Sequence, residues 1–282
     1  MTTYDTAVIG AGTAGLVTAC HLAQAGQKVV LVSHGIGALL LASGCVDVLG
    51  FHPAESTTPV ENPAAALDDF LAAQPEHPYH HIGRENLAAG LEKFLQLVNN
   101  AGLDYRGSFE RNWRLPSGAG AVHPTCLAPA SLIAGDFGTG QSMLIVGFRE
   151  LRDFYPALIS QNINEQNLGV TSDFAWVNAA IPAASKMNAT PIELAHAFEH
   201  ASFRRQVVQE IKQAAKGWDR VGFPAALGID RHAEVVADLE KQLGKPVFEI
   251  SALPPSVPGR RLYNALKSAL LQAGGRLIIG AK

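Results

Sequence analysis

Two short apolar runs near the start of the chain flank a segment with helical periodicity. Thr6 to Ile9 is uncharged and mostly apolar, and Val29 to Val32 is entirely apolar. Both runs are typical of parallel strands that are buried in a sheet. Leu16 to Ala25 is expected to form a helix that ends at Gly26. The pattern therefore predicts a complete βαβ unit at the beginning of the chain.

Apolar strands and amphipathic helices continue to alternate along the rest of the chain, which predicts an α/β fold. We expect a Rossmann-like FAD/NAD(P)-binding domain with a parallel sheet, built from residues 1–50 and 248–282, and an inserted α/β domain over residues 51–247. The predicted helices cover 64–73, 87–101, 149–162, 192–215, 231–243 and a segment from about 260 to 273; the predicted strands cover 142–148, 170–181, 220–226, 247–250 and 276–279, with short strands and turns over 105–129.

A glycine motif joins the first strand to the first helix. Gly10, Gly12 and Gly15 have G-x-G-x-x-G spacing, with Ala11, Thr13 and Ala14 between them. The first glycine permits a tight turn, the second lets the backbone approach a pyrophosphate, and the third lets helix and strand pack closely. The free N–H groups of the helix N-terminus favour phosphate there. These six residues are predicted to bind a dinucleotide; the alternative is a Rossmann-like fold without a ligand.

The end of the second strand argues against freely exchanging NAD. NAD-binding folds usually place an acidic residue there to hold the ribose hydroxyls. This chain has Ser33 and His34 instead, and serine can bond a ribose but without a charge-assisted hydrogen bond. A tightly held cofactor with additional contacts is therefore favoured.

Glycines punctuate the apolar segment that follows, from Gly35 to Gly50. Small residues let main-chain N–H groups reach the atoms of a planar ligand. We therefore expect Leu41, Ala42, Ser43 and Gly44 to lie beside the cofactor. The alternative is a buried connection that packs on the sheet.

Composition narrows the class of protein. The chain has 282 residues, 48% hydrophobic and 17% charged, with a net charge of −3, so a packed core is expected and nucleic acid binding is not. Its three cysteines are far apart, which fits neither a disulfide framework nor an iron–sulfur motif. The first strand begins close to Met1 and no apolar run is long enough to span a bilayer. We expect a cytoplasmic chain that reaches the membrane only through a partner.

Two other clusters of polar residues admit more than one interpretation. His77, His80 and His81 lie in a proline-containing segment without the spacing of a metal motif, so a polar loop is favoured over a metal site. Arg260 and Arg261 stand at a predicted helix start, where cations oppose the helix dipole. A salt bridge to another element is the favoured explanation there, and an anionic ligand is the alternative. The same holds for Arg149 and Arg152.

Several motifs together resemble flavoproteins of the glutathione-reductase/fumarate-reductase superfamily and, within it, the family formed by the B subunits of anaerobic glycerol-3-phosphate dehydrogenases. The resemblance extends over nearly the whole chain. The matching stretches are Val8-Ile-Gly-Ala-Gly-Thr-Ala-Gly-Leu16, Ser33-His-Gly35, Ala42-Ser-Gly-Cys-Val-Asp-Val-Leu49, His77-Pro-Tyr79, Leu115-Pro-Ser-Gly118, Pro124-Thr125, Leu144-Ile-Val-Gly-Phe148, Leu253-Pro-Pro-Ser-Val-Pro-Gly-Arg-Arg-Leu262 and Gly274-Gly275.

The resemblance implies a flavin-dependent oxidoreductase that works within a complex. Complexes of that family oxidise glycerol 3-phosphate to dihydroxyacetone phosphate and pass electrons towards menaquinone at the inner face of the cell membrane. The implied partners are a catalytic dehydrogenase chain, the A subunit of such complexes, and an iron–sulfur chain that anchors them to the membrane, the C subunit. The implied cofactor is FAD or FMN, bound non-covalently because residues 37–44 contain no histidine to anchor it. The resemblance also favours Leu41 to Gly44 as the segment beside the flavin.

Two alternative functions remain open on the sequence. One is a self-sufficient FAD-dependent dehydrogenase or reductase of fumarate-reductase type, for which the sequence identifies no catalytic residue. The other is a cofactor-free scaffold protein. Members of the family continue beyond the position of Lys282 with a region that returns to the flavin domain. The resemblance therefore implies that this chain lacks that region and that its flavin site is incomplete.

Overall fold

The computed structural model describes residues 3–178, 181 and 188–280. The strands within these ranges are short, as is usual for α/β proteins. In chain order they are β1 (Thr6–Ile9), β2 (Val29–Ser33), β3 (Tyr105–Gly107), β4 (Trp113–Pro116), β5 (Val122–Thr125), β6 (Leu127–Pro129), β7 (Met143–Phe148), β8 (Ser172–Val177), β9 (Arg220–Pro224), β10 (Val247–Ile250) and β11 (Arg276–Ile279).

The helices alternate with these strands over most of the chain. In chain order they are α1 (Thr13–Gln24), α2 (Pro63–Ala73), α3 (Tyr79–Ile82), α4 (Arg84–Asn100), α5 (Ala130–Ile133), α6 (Pro156–Glu165), α7 (Pro191–Phe198), α8 (Ala201–Ile211), α9 (His232–Leu243) and α10 (Val257–Gln272), with 3₁₀ turns at Gly37–Leu40 and Phe137–Thr139. Among the described residues, none of these helices is both long and apolar enough to cross a membrane.

A three-stranded parallel sheet is formed by the two ends of the chain, in the order β1-β2-β11. Val8 of β1 lies opposite Leu31 of β2, and Leu31 lies opposite Leu277 of β11. Helices α1 and α10 pack against each other and against this sheet, burying Leu16 and Leu266 completely. Strand β1 is an edge strand, and Ile9 at its end is 89% exposed.

A second parallel sheet has four strands in the order β10-β9-β7-β8. Its strands are joined through helices α6 to α9, as parallel neighbours require. The core around it contains many aromatic side chains, including Phe148, Phe223 and Phe248, each at most 1% exposed. Strands β9 and β10 are buried at every residue, and their sequences are accordingly short and mostly apolar.

The observed sheets confirm the predicted α/β class with parallel sheets. Strand β10 pairs with β9, so Val247–Ile250 belongs to the four-stranded sheet and the expected domain boundary at residue 248 cuts through a strand of that sheet. The division into a flavin domain and an inserted domain stays a prediction.

Two antiparallel pairs, β3 with β6 and β4 with β5, occupy the predicted region of short strands and turns. They contact the segment after β2, because Val46 forms a bridge with Leu127 at the start of β6. The Tyr105 hydroxyl of β3 donates a hydrogen bond to the Gly44 carbonyl at 2.7 Å. These strands therefore support the segment that the sequence predicts beside the cofactor.

Several predicted elements differ from the structure; the helix predicted over 192–215, for example, is two helices, α7 and α8. The helix predicted over 149–162 begins only at Pro156, because a proline favours the first helical turn and restricts the residue before it. The extended stretch predicted over 170–181 is a strand only over Ser172–Val177, and residues 179 and 180 lie outside the described residues. The polar loop around the histidines contains one helical turn, Tyr79–Ile82.

Candidate flavin site

The three glycines of the loop after β1 occupy three different environments. Gly10 has a φ of +103°, in the region that favours glycine. A Cβ atom at Gly15 would lie 1.9 Å from the Gly10 carbonyl oxygen, so helix α1 approaches β1 too closely for any side chain there. A Cβ atom at Gly12 would meet no atom within 4 Å. Gly12 therefore faces open space, as expected of a glycine that leaves room for a pyrophosphate.

Helix α1 begins at Thr13 with Gly12 as its cap residue. No side chain caps this end, and the first turn contains no acidic residue. The first N–H that bonds back within the helix is that of Leu16, which donates to the Gly12 carbonyl at 3.0 Å. The N–H groups of Thr13, Ala14 and Gly15 and the positive end of the helix dipole are thus suited to an anion. Ala11 supports the loop from the core, with 1% of its surface exposed.

Ser33 closes a turn at the end of β2. Its hydroxyl donates a hydrogen bond to the Gly35 carbonyl at 2.5 Å and accepts one from the Gly35 N–H at 3.3 Å. The hydroxyl proton is therefore engaged within the protein, and the side chain can offer a ligand only an acceptor lone pair. His34, the next residue, is exposed.

The segment after this turn packs against the glycine loop. A Cβ atom at Gly37 would lie 2.9 Å from the Gly12 Cα, so the 3₁₀ turn over Gly37–Leu40 packs directly beside the loop. Leu41 then follows with 69% of its surface exposed, and Ala42 is exposed as well. The turn that leads into residues 41–44 therefore contacts the glycine loop at Gly12.

The start of helix α10 contacts the residues just before the predicted flavin-facing segment. The Ser256 N–H donates to the Leu40 carbonyl at 2.7 Å, and the Ser256 side chain caps α10 by accepting from the Gly259 N–H at 3.0 Å. A Cβ atom at Gly259 would lie 1.7 Å from the Leu39 carbonyl oxygen, so only glycine allows this approach. Leu39 and Gly44 are buried, whereas Leu41 and Ala42 are exposed, so the placement of this segment beside the cofactor stays a prediction.

Thiol chemistry is not favoured beside this segment. Burial raises the pKa of Cys45 to about 12 and that of Cys126 to about 11, so both thiols stay protonated at neutral pH. Nearby, the His123 Nε2 lies 3.0 Å from an Asp47 carboxylate oxygen. Burial raises the pKa of Asp47, but His123 outweighs it by hydrogen bonding and charge, and the net pKa is lowered. Asp47 is therefore an ionised partner of His123 rather than a proton donor.

Sequence reasoning missed a buried polar network beneath the antiparallel strands. Glu249, on β10, has a side chain that is 0% exposed and forms two hydrogen bonds with Arg261, at 2.8 and 2.9 Å. Ser131 donates to the same carboxylate at 2.7 Å. Arg261 therefore forms the salt bridge that was the favoured explanation for the arginines at the start of α10. The sequence feature that indicates such a network is the glutamate within the otherwise apolar strand Val247–Ile250.

Two of the remaining arginines and histidines of the sequence analysis contact aromatic rings. The Arg149 guanidinium lies over the Trp176 ring, 4.3 Å from its centroid. The His77 ring packs against Phe70, with ring centroids 4.8 Å apart. Among the described residues, no group of three or more histidine, cysteine, aspartate or glutamate side chains is arranged to hold a metal ion.

Comparison with known proteins identifies the family of this chain. The family described as "FAD binding domain" matches residues 5–281. The chain is 32% identical to the B subunit of anaerobic glycerol-3-phosphate dehydrogenase from Pectobacterium carotovorum over 286 residues, which cover 98% of the chain and 66% of that relative. It is 30% identical to the proteins of the same name from Actinobacillus pleuropneumoniae and Vibrio cholerae, covering 98% and 99% of the chain but 66% and 65% of those relatives.

The chain thus spans about 66% of the length of the curated relatives that it matches. Among solved structures, 3-ketosteroid Δ1-dehydrogenase from Sterolibacterium denitrificans aligns with 99% of the chain and 41% of its own length, at 17% identity and a TM-score of 0.37. The relatives confirm the resemblance to these B subunits, and the family description confirms the predicted flavin as FAD. The chain belongs to the FAD binding domain family.

Proposed function

We propose that this chain is a flavin-containing subunit of a membrane-associated glycerol-3-phosphate:quinone oxidoreductase. The observation that carries the proposal is that the turn leading into residues 41–44 packs against the glycine loop, where a Cβ at Gly37 would lie 2.9 Å from the Gly12 Cα, while a Cβ at Gly12 would meet no atom within 4 Å. Relatives that match 98% of the chain are named as the B subunit of anaerobic glycerol-3-phosphate dehydrogenase, which supports this substrate class. The proposed reaction converts glycerol 3-phosphate to dihydroxyacetone phosphate.

The glycine loop is proposed to hold the pyrophosphate of FAD. Gly10, Ala11, Gly12, Thr13, Ala14 and Gly15 would surround the phosphates with the N–H groups at the start of α1. Ser33 and His34 would lie beside the adenosine ribose, with the Ser33 oxygen as an acceptor. Leu41, Ala42, Ser43 and Gly44 would lie along the isoalloxazine, where Leu41 offers an apolar surface. Residues 37–44 contain no histidine, which supports non-covalent binding.

When bound, the flavin supplies a two-electron acceptor for oxidation of a secondary alcohol. The protein groups would bind and orient the cofactor and keep water from one of its faces. Electrons would pass through a catalytic dehydrogenase partner and an iron–sulfur, membrane-anchoring partner towards menaquinone, at the inner face of the membrane. The three free cysteines are far apart in sequence, and burial raises the pKa of each thiol. We therefore do not propose that this chain holds an iron–sulfur cluster.

Binding of FAD is tested with a substitution that the fold can accommodate. Gly12→Val adds a side chain where no atom lies within 4 Å, so the variant should keep its thermal stability while losing FAD binding by at least tenfold. Gly90→Val makes the same change at an exposed helical position and should leave FAD affinity unchanged. Quenching of FAD fluorescence on titration measures both. Equal FAD affinity in the wild type and Gly12→Val would refute the proposed site.

The assignment of the reaction requires a separate measurement. The FAD-loaded chain is mixed with glycerol 3-phosphate anaerobically, alone and with the dehydrogenase and iron–sulfur partners, while flavin absorbance is followed. The proposal expects bleaching of the flavin only when the partners are present. Bleaching by the chain alone would favour a self-sufficient dehydrogenase. Failure to bleach in the full complex would reject the substrate while leaving FAD binding intact.

A further inference from the structure

A cavity of about 360 Å³ lies between helix α9 and the short elements β3 and α5. The start of α10 closes one end, through Pro258 and Arg261. None of the twelve residues predicted to contact the flavin lines it. Its size falls in the range of small-molecule pockets. This cavity is therefore a second concave site, separate from the glycine loop.

One end of the cavity is polar and rigid. Arg261 lines it and is fixed by Glu249 and by a hydrogen bond from its Nε to the Gly228 carbonyl at 2.8 Å. These bonds use three of the five N–H groups of a guanidinium, so donors remain. Ser131 also lines the cavity, and its hydroxyl proton is committed to Glu249. The Ser131 oxygen can thus still accept a hydrogen bond.

His232 supplies an acceptor at the same end. Its Nδ1 lies 2.8 Å from the Leu227 carbonyl, which can only accept, so Nδ1 carries a proton. Burial lowers the pKa of His232, so the ring is neutral at pH 7 and Nε2 has a lone pair. Nε2 lies 3.8 Å from a Glu249 carboxylate oxygen, which is also an acceptor. Two acceptors facing one another are satisfied by a donor placed near both.

The remaining walls are mostly apolar. They come from Pro129 and Ala130 on one side and from Ala233 and Val236 of α9 on the other. Asp104 and Arg106 pair with each other at 2.8 Å. The Glu240 carboxylate also lines the cavity and accepts from the Val247 N–H at 3.2 Å. An anionic ligand would lose its hydration against these apolar walls and would be repelled by Glu240, which disfavours it.

We propose that this cavity binds a compact, mostly apolar alcohol or phenol, whose hydroxyl donates to the Nε2 of His232 and accepts from Arg261. A hydroxyl is the smallest group that satisfies both partners, because it is a donor and an acceptor at once. The body of the molecule would occupy the space between Ala130 and Val236.

Paired probes test the hydroxyl. 2-Naphthol and 2-methylnaphthalene have the same rings and differ in a hydroxyl and a methyl group. Isothermal titration of the full 282-residue chain should show about fivefold tighter binding of 2-naphthol, the effect of one net hydrogen bond. The methyl compound is the more hydrophobic of the two, so a purely apolar cavity would give the opposite order. Equal affinities or the opposite order would overturn the proposal.

Variants test the location. Ala233→Trp places a large side chain at an exposed cavity-lining position and should abolish binding of both probes. Ala72→Trp makes the same change on the exposed side of α2, away from the cavity, and should have no effect. His232→Phe should lower the ratio of the two affinities to about one while retaining 2-methylnaphthalene. Unchanged binding in a folded Ala233→Trp protein, verified by thermal denaturation, would place the probes elsewhere and refute the site.

Discussion

Replacing Arg261 with methionine should destabilise the protein strongly and reverse part of its response to pH. In the wild type, the carboxylate of Glu249 is fully buried and receives hydrogen bonds from Arg261, Ser131 and the Leu227 N–H, at 2.7 to 2.9 Å. Methionine has nearly the length of the arginine stem but no charge. The substitution therefore leaves a buried carboxylate without its main counter-ion.

The magnitude follows from two independent estimates. Burial raises the pKa of Glu249, but Arg261 and His232 outweigh it, and the pKa falls from 4.5 to about 2. That difference corresponds to about 3 kcal/mol of stabilisation of the ionised form. Removing one partner of a buried ion pair typically costs about 3–5 kcal/mol. We therefore expect the free energy of unfolding at pH 7 to fall by about 3–5 kcal/mol in Arg261→Met.

The pH dependence has a definite sign. In the wild type, the folded-state pKa of Glu249 lies below its unfolded value, so its stabilisation is complete above pH 4.5 and is lost as the pH falls through about 2. In Arg261→Met the buried carboxylate has no counter-ion at that position, and burial raises its folded-state pKa above the unfolded value. The variant then regains stability as the pH falls below neutral. The difference between the two proteins should narrow on acidification.

Urea denaturation followed by tryptophan fluorescence between pH 7 and pH 4 measures this difference. Arg260→Met is the matched control at the neighbouring position and should change stability by less than about 0.5 kcal/mol. The double variant Glu249→Gln, Arg261→Met should be more stable than Arg261→Met alone, because it removes the unpaired charge. A loss below about 1 kcal/mol in Arg261→Met, unchanged with pH, would show that Arg261 does not hold the Glu249 charge.

Three further predictions concern local structure. Gly15→Ala should lower the melting temperature even without FAD, since its Cβ would lie 1.9 Å from the Gly10 carbonyl oxygen; a normal melting curve would contradict this packing. Asn62→Ala removes the side chain that caps α2 through a 2.9 Å hydrogen bond and should cost about 1 kcal/mol in urea denaturation. Leu266→Ala should cost about 2–5 kcal/mol because its side chain is fully buried between α1 and α10. Leu271→Ala, on the exposed side of α10, should cost far less, and equal losses would refute this account.

The glycine loop could be predicted from sequence because its determinants are local. Gly10, Gly12 and Gly15 lie within six residues, and the strand and helix around them have clear apolar patterns. The structure places the predicted β1–α1–β2 unit with helix α1 starting at Thr13, three residues earlier than the apolar pattern alone indicates. Thr13, Ala14 and Gly15 of the glycine loop form the first turn of α1.

The polar end of the second cavity could not be predicted in the same way. Ser131, His232, Glu249 and Arg261 come from four different elements, and only the tertiary fold brings them close together. A single glutamate in an apolar strand indicates that a counter-ion exists but not which arginine supplies it.

The edge strand β1 has a consequence for the behaviour of the chain in solution. Within the described residues β1 pairs only with β2, and the side chain of Ile9 at its end lies in water. An unpaired strand edge beside an apolar side chain is a surface on which a further strand can add by main-chain hydrogen bonding. We therefore expect self-association at this edge, increasing with protein concentration. Natural sheets suppress such association by placing a lysine or a proline on the edge, and Thr6 to Ile9 contains neither.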